Sequence, residues 1–247
     1  MYFLLNKHLK TIIFGRGLSP ISFKLHLLLG EKHIGNYYKY IRFKSLLNLL
    51  EFARSIIIKR PFLSHTINDC NPNIINIGDV CFQKKNNPSD INWEFENNNY
   101  IEFSRDKEFL SWRFGSYPKI FTTYTYGDES GTKAYFIIRN VIWKGLPFLL
   151  LVDYKYRGDT LQPLLKAVSK ILKKSHNYGI ITLSSFSDVD RALKHNRYIK
   201  FGFSGQIVTN VKTNLSKQQI KQRKSIFVTF ADSDADFFYG NKEWYKL

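Results

Sequence analysis

Apolar and polar positions along this chain fall into patterns that separate helices from strands. In KSLLNLLEFARSIIIKR, residues 44–60, Leu46, Leu47, Leu50, Ala53, Ile57 and Ile58 recur at helical spacing and predict one amphipathic helix, ended by Pro61. Residues 61–75 then turn polar, and NDCNPN marks a break. The chain is therefore expected to divide into 1–70 and 71–247.

Beyond the break, IINIGDVCF is apolar and β-branched and reads as a strand. Pro88-Ser89-Asp90 reads as a helix entry. SRDKEFLSWRFGSYP reads as a short helix with Phe109, Leu110 and Phe114 on one face, Ser104 or Asp106 as cap and Gly115 as stop. An antiparallel meander follows: KIFTTYTYG, the turn GDESGT, KAYFIIRNVIW, the turn KGLP, and FLLLVDYKY.

The clearest helix covers residues 160–175. Leu161, Leu164, Leu165, Val168, Ile171 and Leu172 form one stripe, Asp159 or Thr160 can cap it, and Pro163 sits harmlessly in the first turn. IITLSSF is a buried strand. SDVDRALKHNRYIKFGF reads as a second helix capped by Ser187 or Asp188. GQIVTN and SIFVTF are strands on either side of the basic stretch VKTNLSKQQIKQRK. From residue 76 the order is β-α-α-β-β-β-α-β-α-β-β, an α+β layered domain.

Composition fits a folded protein: 247 residues, 44% hydrophobic and 23% charged. The net charge of +17 has two readings, an anionic partner or a composition rich in Lys, Asn and Ile. Of that charge, +8 falls on residues 1–70 and the rest is spread, with no run of five or six like charges. The two cysteines, Cys70 and Cys81, make no disulfide framework, and the six histidines have no metal-binding spacing. A reducing, cytoplasmic setting is expected. Lys7, His8 and Lys10 interrupt the apolar N-terminus, which speaks against a signal peptide. No uninterrupted apolar run is long enough to span a membrane.

Three stretches resemble the acetyltransferases of the GNAT superfamily. A strand, a turn with Arg157-Gly158 and an amphipathic helix stand where that family grips the pyrophosphate of acyl-CoA. YIKFGF, Tyr198 to Phe203, is similar to the family's Y-x-x-x-G-F segment. RDKEFLSWRF, Arg105 to Phe114, followed by YPKIF, resembles a GNAT-like subgroup found with bacterial surface-polysaccharide genes. The resemblance covers about 170 residues and implies a mixed sheet flanked by helices. LLLGEKHIGNYYKYIRF, Leu27 to Phe43, resembles the closing helix-to-strand corner of a first such half, which makes residues 1–70 a remnant or docking segment.

The resemblance also implies site residues. Acetyl-CoA or another acyl-CoA would be the cofactor, held by Val152, Tyr154, Arg157, Gly158, Thr160, Leu161 and Gln162. A helix N-terminus suits the phosphates because its amides are free and partly positive. Aligned on Arg157, however, Thr160 and Gln162 stand where the family has glycines, Asp159 adds a negative charge and Pro163 lacks an N–H. Tyr198 would protonate the leaving thiolate, and Asp153, or a water, would take the acceptor's proton. The amides around Val152 to Lys155 would polarise the thioester.

The implied activity is N- or O-acyl transfer by direct attack on a small-molecule acceptor, an amino sugar or polysaccharide precursor. The degenerate turn supports an alternative, a GNAT-like binding or assembly protein without catalysis. For Asp153 the structural alternative is a partnership with Lys155 or Arg157. Arg105 and Arg113 are candidates for lining an acceptor pocket, with an internal Arg–Asp pair as the favoured structural alternative. A third reading, an RNA-binding module, rests on the basic stretch 212–224 and 16% aromatic content. It is disfavoured because those aromatics fall mainly on strand-like segments.

Overall fold

The computed structural model describes residues 14–16, 20–58, 71–93, 101–102, 105–115, 120–129, 131–210 and 226–232. Cys70, the caps proposed at Ser104, the polar break at 61–70 and the basic stretch 212–224 lie outside them.

Eleven strands and five α-helices are described: β1 (Phe14–Arg16), α1 (Pro20–Leu28), β2 (Glu31–Phe43), α2 (Leu46–Ile58), β3 (Ile74–Ile77), β4 (Val80–Lys85), β5 (Ile101–Glu102), α3 (Lys107–Leu110), β6 (Thr122–Asp128), β7 (Gly131–Trp143), β8 (Leu146–Tyr156), α4 (Leu161–Lys174), β9 (Gly179–Ser184), α5 (Ser187–His195), β10 (Ile199–Asn210) and β11 (Ile226–Phe227). Nine strands form one sheet in the order β1-β10-β2-β9-β8-β7-β6-β4-β3. Every neighbouring pair is antiparallel except β8 and β9, which are joined through α4 as a parallel crossover unit.

The apolar runs dictate this arrangement. β8 is buried along nearly its whole length, as a central strand covered on both faces must be. On one face lies a core of Leu164, Leu165, Val168, Ile171 and Leu172 from α4, Val189 and Leu193 from α5, and Phe82, Phe136 and Leu149 from the sheet. Each such buried leucine contributes about 1.5–3 kcal/mol of transfer free energy. On the other face Phe52 of α2, Leu110, and Phe114 in the turn after α3 pack with Tyr37, Ile41, Phe148 and Leu150.

Several sequence expectations change in the fold. IINIGDVCF is a hairpin, β3 and β4, because Gly78 adopts φ 57 and reverses the chain between Ile77 and Val80. Pro88–Asp90 forms a single 3₁₀ turn capped by Asn87. α3 is capped by Asp106, whose Oδ1 accepts from the Phe109 N–H at 2.7 Å, and runs on into a π-helical turn, Ser111–Gly115. Neither Ser187 nor Asp188 caps α5, which starts from Phe186 with no side-chain cap.

α2 forms where the periodicity puts it, yet the predicted stripe faces out. Leu46, Leu47, Leu50 and Ile57 are exposed, and Phe52 is buried instead. The aromatic ring decides the rotation. Phe52 packs against Trp143 at 4.9 Å, Phe43 at 5.4 Å and Phe148 at 5.5 Å between centroids, which removes more surface from water than the leucines offer.

β2 comes from the segment ahead of residue 70. It pairs with β9 on one side and β10 on the other, so the sheet crosses the expected division. Its side chains explain the placement: Tyr37 and Ile41 feed one core, Tyr40 the other. The helix-to-strand corner expected at 27–43 is α1, the turn at Gly30 (φ 85) and β2.

Candidate active site

The parallel pair at the centre of the sheet is joined at one end and open at the other. Phe148, Leu149 and Leu150 pair with Gly179, Ile180 and Ile181, and no further register follows although both strands continue. The closed end is tight. A Cβ at Gly179 would stand 2.5 Å from the Arg42 carbonyl oxygen, so glycine lets β2, β9 and β8 meet there. Against β7, Leu151 faces Ile138 and Asp153 faces Ile137, which leaves Val152 as the extra residue of a bulge. The bulge coincides with the point where β9 departs. Beyond it the strands are bridged by a side chain, with the Tyr154 hydroxyl donating to the Leu183 carbonyl at 3.2 Å. Burial raises the Tyr154 pKa well above the usual phenol range.

The turn after β8 places Arg157, Gly158, Thr160, Leu161 and Gln162 in sequence at the start of α4. Gly158 takes φ 52, the conformation its lack of a Cβ permits. Neither expected cap serves α4. The Thr160 hydroxyl turns back, accepting from the Arg157 N–H at 3.1 Å and donating to the Arg157 carbonyl at 2.8 Å. That geometry closes the turn and leaves the helix without a side-chain cap. Asp159 is exposed. The Arg157 guanidinium lies over the Trp93 ring at 5.3 Å, and the Gln162 amide oxygen accepts from Asn196 at 2.6 Å.

Asp153 is fully buried and bound into a cluster. Arg105 Nε donates to its Oδ2 at 2.8 Å and Nη2 to its Oδ1 at 3.2 Å; the Thr229 hydroxyl donates at 2.7 Å and the Tyr135 hydroxyl at 2.9 Å. Its partner is thus Arg105, with Asp232 as a second carboxylate on the same guanidinium. Burial pushes the Asp153 pKa up, but Arg105, Lys155 and these hydrogen bonds outweigh it and hold the carboxyl below the ordinary range. For Arg105, burial alone would disfavour the charge, and the two carboxylates hold its pKa above normal. Lys155, also fully buried, sits over the Phe227 ring at 4.7 Å.

The segment carrying Thr229 and Asp232 lies beside the open part of β8. Phe227 belongs to the core on the α4 side, at 5.3 Å from Tyr154, while Val228, Phe230 and Ala231 belong to the core on the other side. Successive side chains entering opposite cores place this segment at the level of the sheet. Sequence reasoning missed Thr229, Tyr135 and Asp232, since residues 76 and 127 positions apart give no local signal of contact.

Tyr198 lies in the core on the α4 side of the sheet, with Tyr154. α5 ends at His195, Arg197 takes φ 62, and β10 begins at Ile199, so Tyr198–Phe203 is mostly strand rather than helix end. A residue in the left-handed region stops the helix there. The Tyr198 ring is 3% exposed. Burial raises its pKa, opposed by Arg42 and Ser169, which are therefore the groups beside its hydroxyl. Arg42 faces Ile180 in the β2–β9 register, at the closed end of the parallel pair. The fold thus brings Val152, Asp153 and Tyr154 together at the bulge, with Tyr198 in the same core as Tyr154 and within electrostatic reach of it.

No family model and no curated protein matches the chain. Among solved structures it is similar to a conserved protein of unknown function from Enterococcus faecalis V583, described as a probable N-acyltransferase. The likeness has TM-score 0.51 and 12% identity, over 85% of this chain and 47% of that one. A GCN5-related N-acetyltransferase from Anabaena variabilis matches with TM-score 0.49 and 11% identity, over 80% and 45%. The chain spans about half the length of these structures. The likeness shows the fold: a GNAT-like α+β architecture, a mixed sheet flanked by helices.

Proposed function

We propose that this protein is an acyl-CoA-dependent acyltransferase, acting in the cytoplasm on a small amine or hydroxyl acceptor of the amino-sugar or polysaccharide-precursor class. One observation carries the reading: the bulge at Val152 falls where β9 leaves β8 after Leu150 and Ile181. A slender thioester arm needs such a gap, lined by strand amides that have lost their partner. The uncapped start of α4 adds backbone donors for phosphates. Acyl-CoA, when bound, supplies an activated carbonyl and a thiolate leaving group.

The chain's own residues divide the remaining work. The amides at Val152 and Tyr154 orient and polarise the carbonyl. Arg157, Gly158, Thr160, Leu161 and Gln162 form the phosphate turn. Asp153 holds Arg105 in place, because its oxygens are already engaged and its pKa is depressed; water takes the acceptor's proton. Tyr198 retains its proton at neutral pH because burial raises its pKa, and in this reading it packs the α4–α5 core.

A second reading, a GNAT-like binding protein without transfer, is favoured by the Tyr154–Leu183 bridge and by Phe227 beside it. Thermal unfolding with acetyl-CoA and with CoA separates the two. Binding at a hundredfold excess over Kd stabilises by about 2.7 kcal/mol and raises Tm. Release of CoA in the presence of amino sugars then reports transfer. Unchanged Tm at millimolar acetyl-CoA leaves only the second reading.

A further inference from the structure

α4 carries its own charge pattern away from the turn. Lys166, Lys170, Lys173 and Lys174 recur at spacings of three and four, so they share one side of the helix. Like charges so placed repel, at a few tenths of a kcal/mol per pair. The fold adds to the repulsion. Arg42 of β2 and Arg197, the residue at φ 62 between α5 and β10, line the same pocket, with Ser169 and His195. The pocket measures 530 Å³ and has no carboxylate in its lining.

The cations are held open. Arg42 Nη1 donates to Ser169 Oγ, and Lys170 Nζ donates to the Asn76 carbonyl at 3.2 Å. The side chains of Lys166, Lys173, Lys174 and Arg197 have no hydrogen-bond or ion-pair partner among the described residues. Beside Arg42 and Ser169 lies the buried Tyr198 hydroxyl. A composition merely rich in lysine would scatter its charges; here β2, α4 and the α5–β10 corner, far apart in sequence, aim six of them at one depression.

From this convergence we infer that the pocket is a second binding site, for a small molecule carrying at least two phosphate-like negative charges. Its volume lies within the range of small-ligand pockets, about 300–1,000 Å³. Lys166 and Lys173 are seven residues apart, about 10 Å along the helix, a separation that two phosphates on one molecule can bridge. The lining holds no Phe, Tyr or Trp and a single ring, that of His195, so successive bases have little to stack on, which argues against single-stranded nucleic acid. The site's cations lie away from the cleft of the proposed transferase, Arg42 at the closed end of the β8–β9 pair, opposite the bulge, although Asn196 of the lining reaches the turn before α4 by donating to Gln162 at 2.6 Å. It stands whether or not that reading does.

Isothermal titration with inorganic pyrophosphate, at ionic strength fixed with sodium chloride, tests the site. Both Lys166 and Lys173 are exposed, so Lys166→Gln/Lys173→Gln keeps the fold, with circular dichroism as the check. Binding to the wild-type chain, weakened at least tenfold in the double variant and retained in Arg157→Gln, is the expected result. Four outcomes overturn it. One is no heat of binding at millimolar pyrophosphate, and another is equal affinity in the double variant. The third is loss of binding in Arg157→Gln, which assigns the anion to the turn before α4. A twelve-nucleotide RNA that binds more tightly than pyrophosphate, with steep salt dependence, also overturns the inference and makes the pocket part of a nucleic-acid surface.

Discussion

Arg105 and Asp153, 48 positions apart, meet as a two-point ion pair, Nε to Oδ2 at 2.8 Å and Nη2 to Oδ1 at 3.2 Å, with side chains 1% and 0% exposed. The pair ties the segment before α3 to the strand beside the cleft. Removing one partner strands a buried charge. Arg105→Met is expected to lower stability by about 3–5 kcal/mol, whereas Arg105→Met/Asp153→Leu costs less than Arg105→Met alone. Urea unfolding of the two variants and the wild-type chain checks the order.

The same pair sets the acid limb of stability. The folded Asp153 pKa is lowered, so the unfolded chain binds the proton more tightly. Its contribution is therefore complete above the unfolded value, about 3.9, and is lost as pH falls through the folded value. The urea midpoint of the wild-type chain should drop more steeply below about pH 4 than that of Asp153→Asn. Equal slopes would place the acid sensitivity elsewhere.

Tyr154 and Tyr198 act at the opposite end of the scale. Burial raises both pKa values, so their contribution is complete below the unfolded phenol value and is lost as pH climbs past about 10. Tyr198→Phe should flatten the alkaline fall in unfolding midpoint, followed between about pH 9 and 11.

Exposed leucines and a buried phenylalanine on α2 give a direct contrast. Leu46→Gln and Leu50→Gln should each change stability by no more than about 0.5 kcal/mol. Phe52→Ala, which empties the space among Phe43, Trp143 and Phe148, should cost about 3–5 kcal/mol. Thermal denaturation distinguishes them, and comparable losses would restore the leucine face as core.

Phe227 beside Tyr154 makes the segment 226–232 a neighbour of the cleft. Phe227→Ala should lower Tm and at the same time strengthen the thermal shift given by acetyl-CoA, because ring volume next to the arm's path is removed. A variant that loses stability with no change in that shift separates the segment from the cofactor path.

Much of the architecture was legible from residue order. The stripe of Leu164, Leu165, Val168 and Ile171 fixes α4 and its buried face, since only one rotation of a helix hides that many side chains. The meander of β6, β7 and β8 follows from β-branched and aromatic runs between glycine turns, with Gly131 and Gly145 both at positive φ. The turn at Arg157-Gly158 is equally local, because its backbone needs glycine at φ 52. Periodicity also gave α2, but not which way it faces. Leucine and phenylalanine are alike to a spacing rule, and the aromatic pocket built by β2, β7 and β8 exists only after folding.

What sequence alone determined, then, is the set of elements and the chemistry they carry, because turn geometry and amphipathic spacing act over a few residues. Tertiary structure alone decided that β2 enters the middle of the sheet and that Asp153 answers to Arg105 and Thr229. It also set Tyr198 beside Arg42 and gathered the lysines of α4 with Arg197 around one pocket. Those partnerships join positions dozens of residues apart, selected by which buried surfaces and charges complement one another once the sheet has closed.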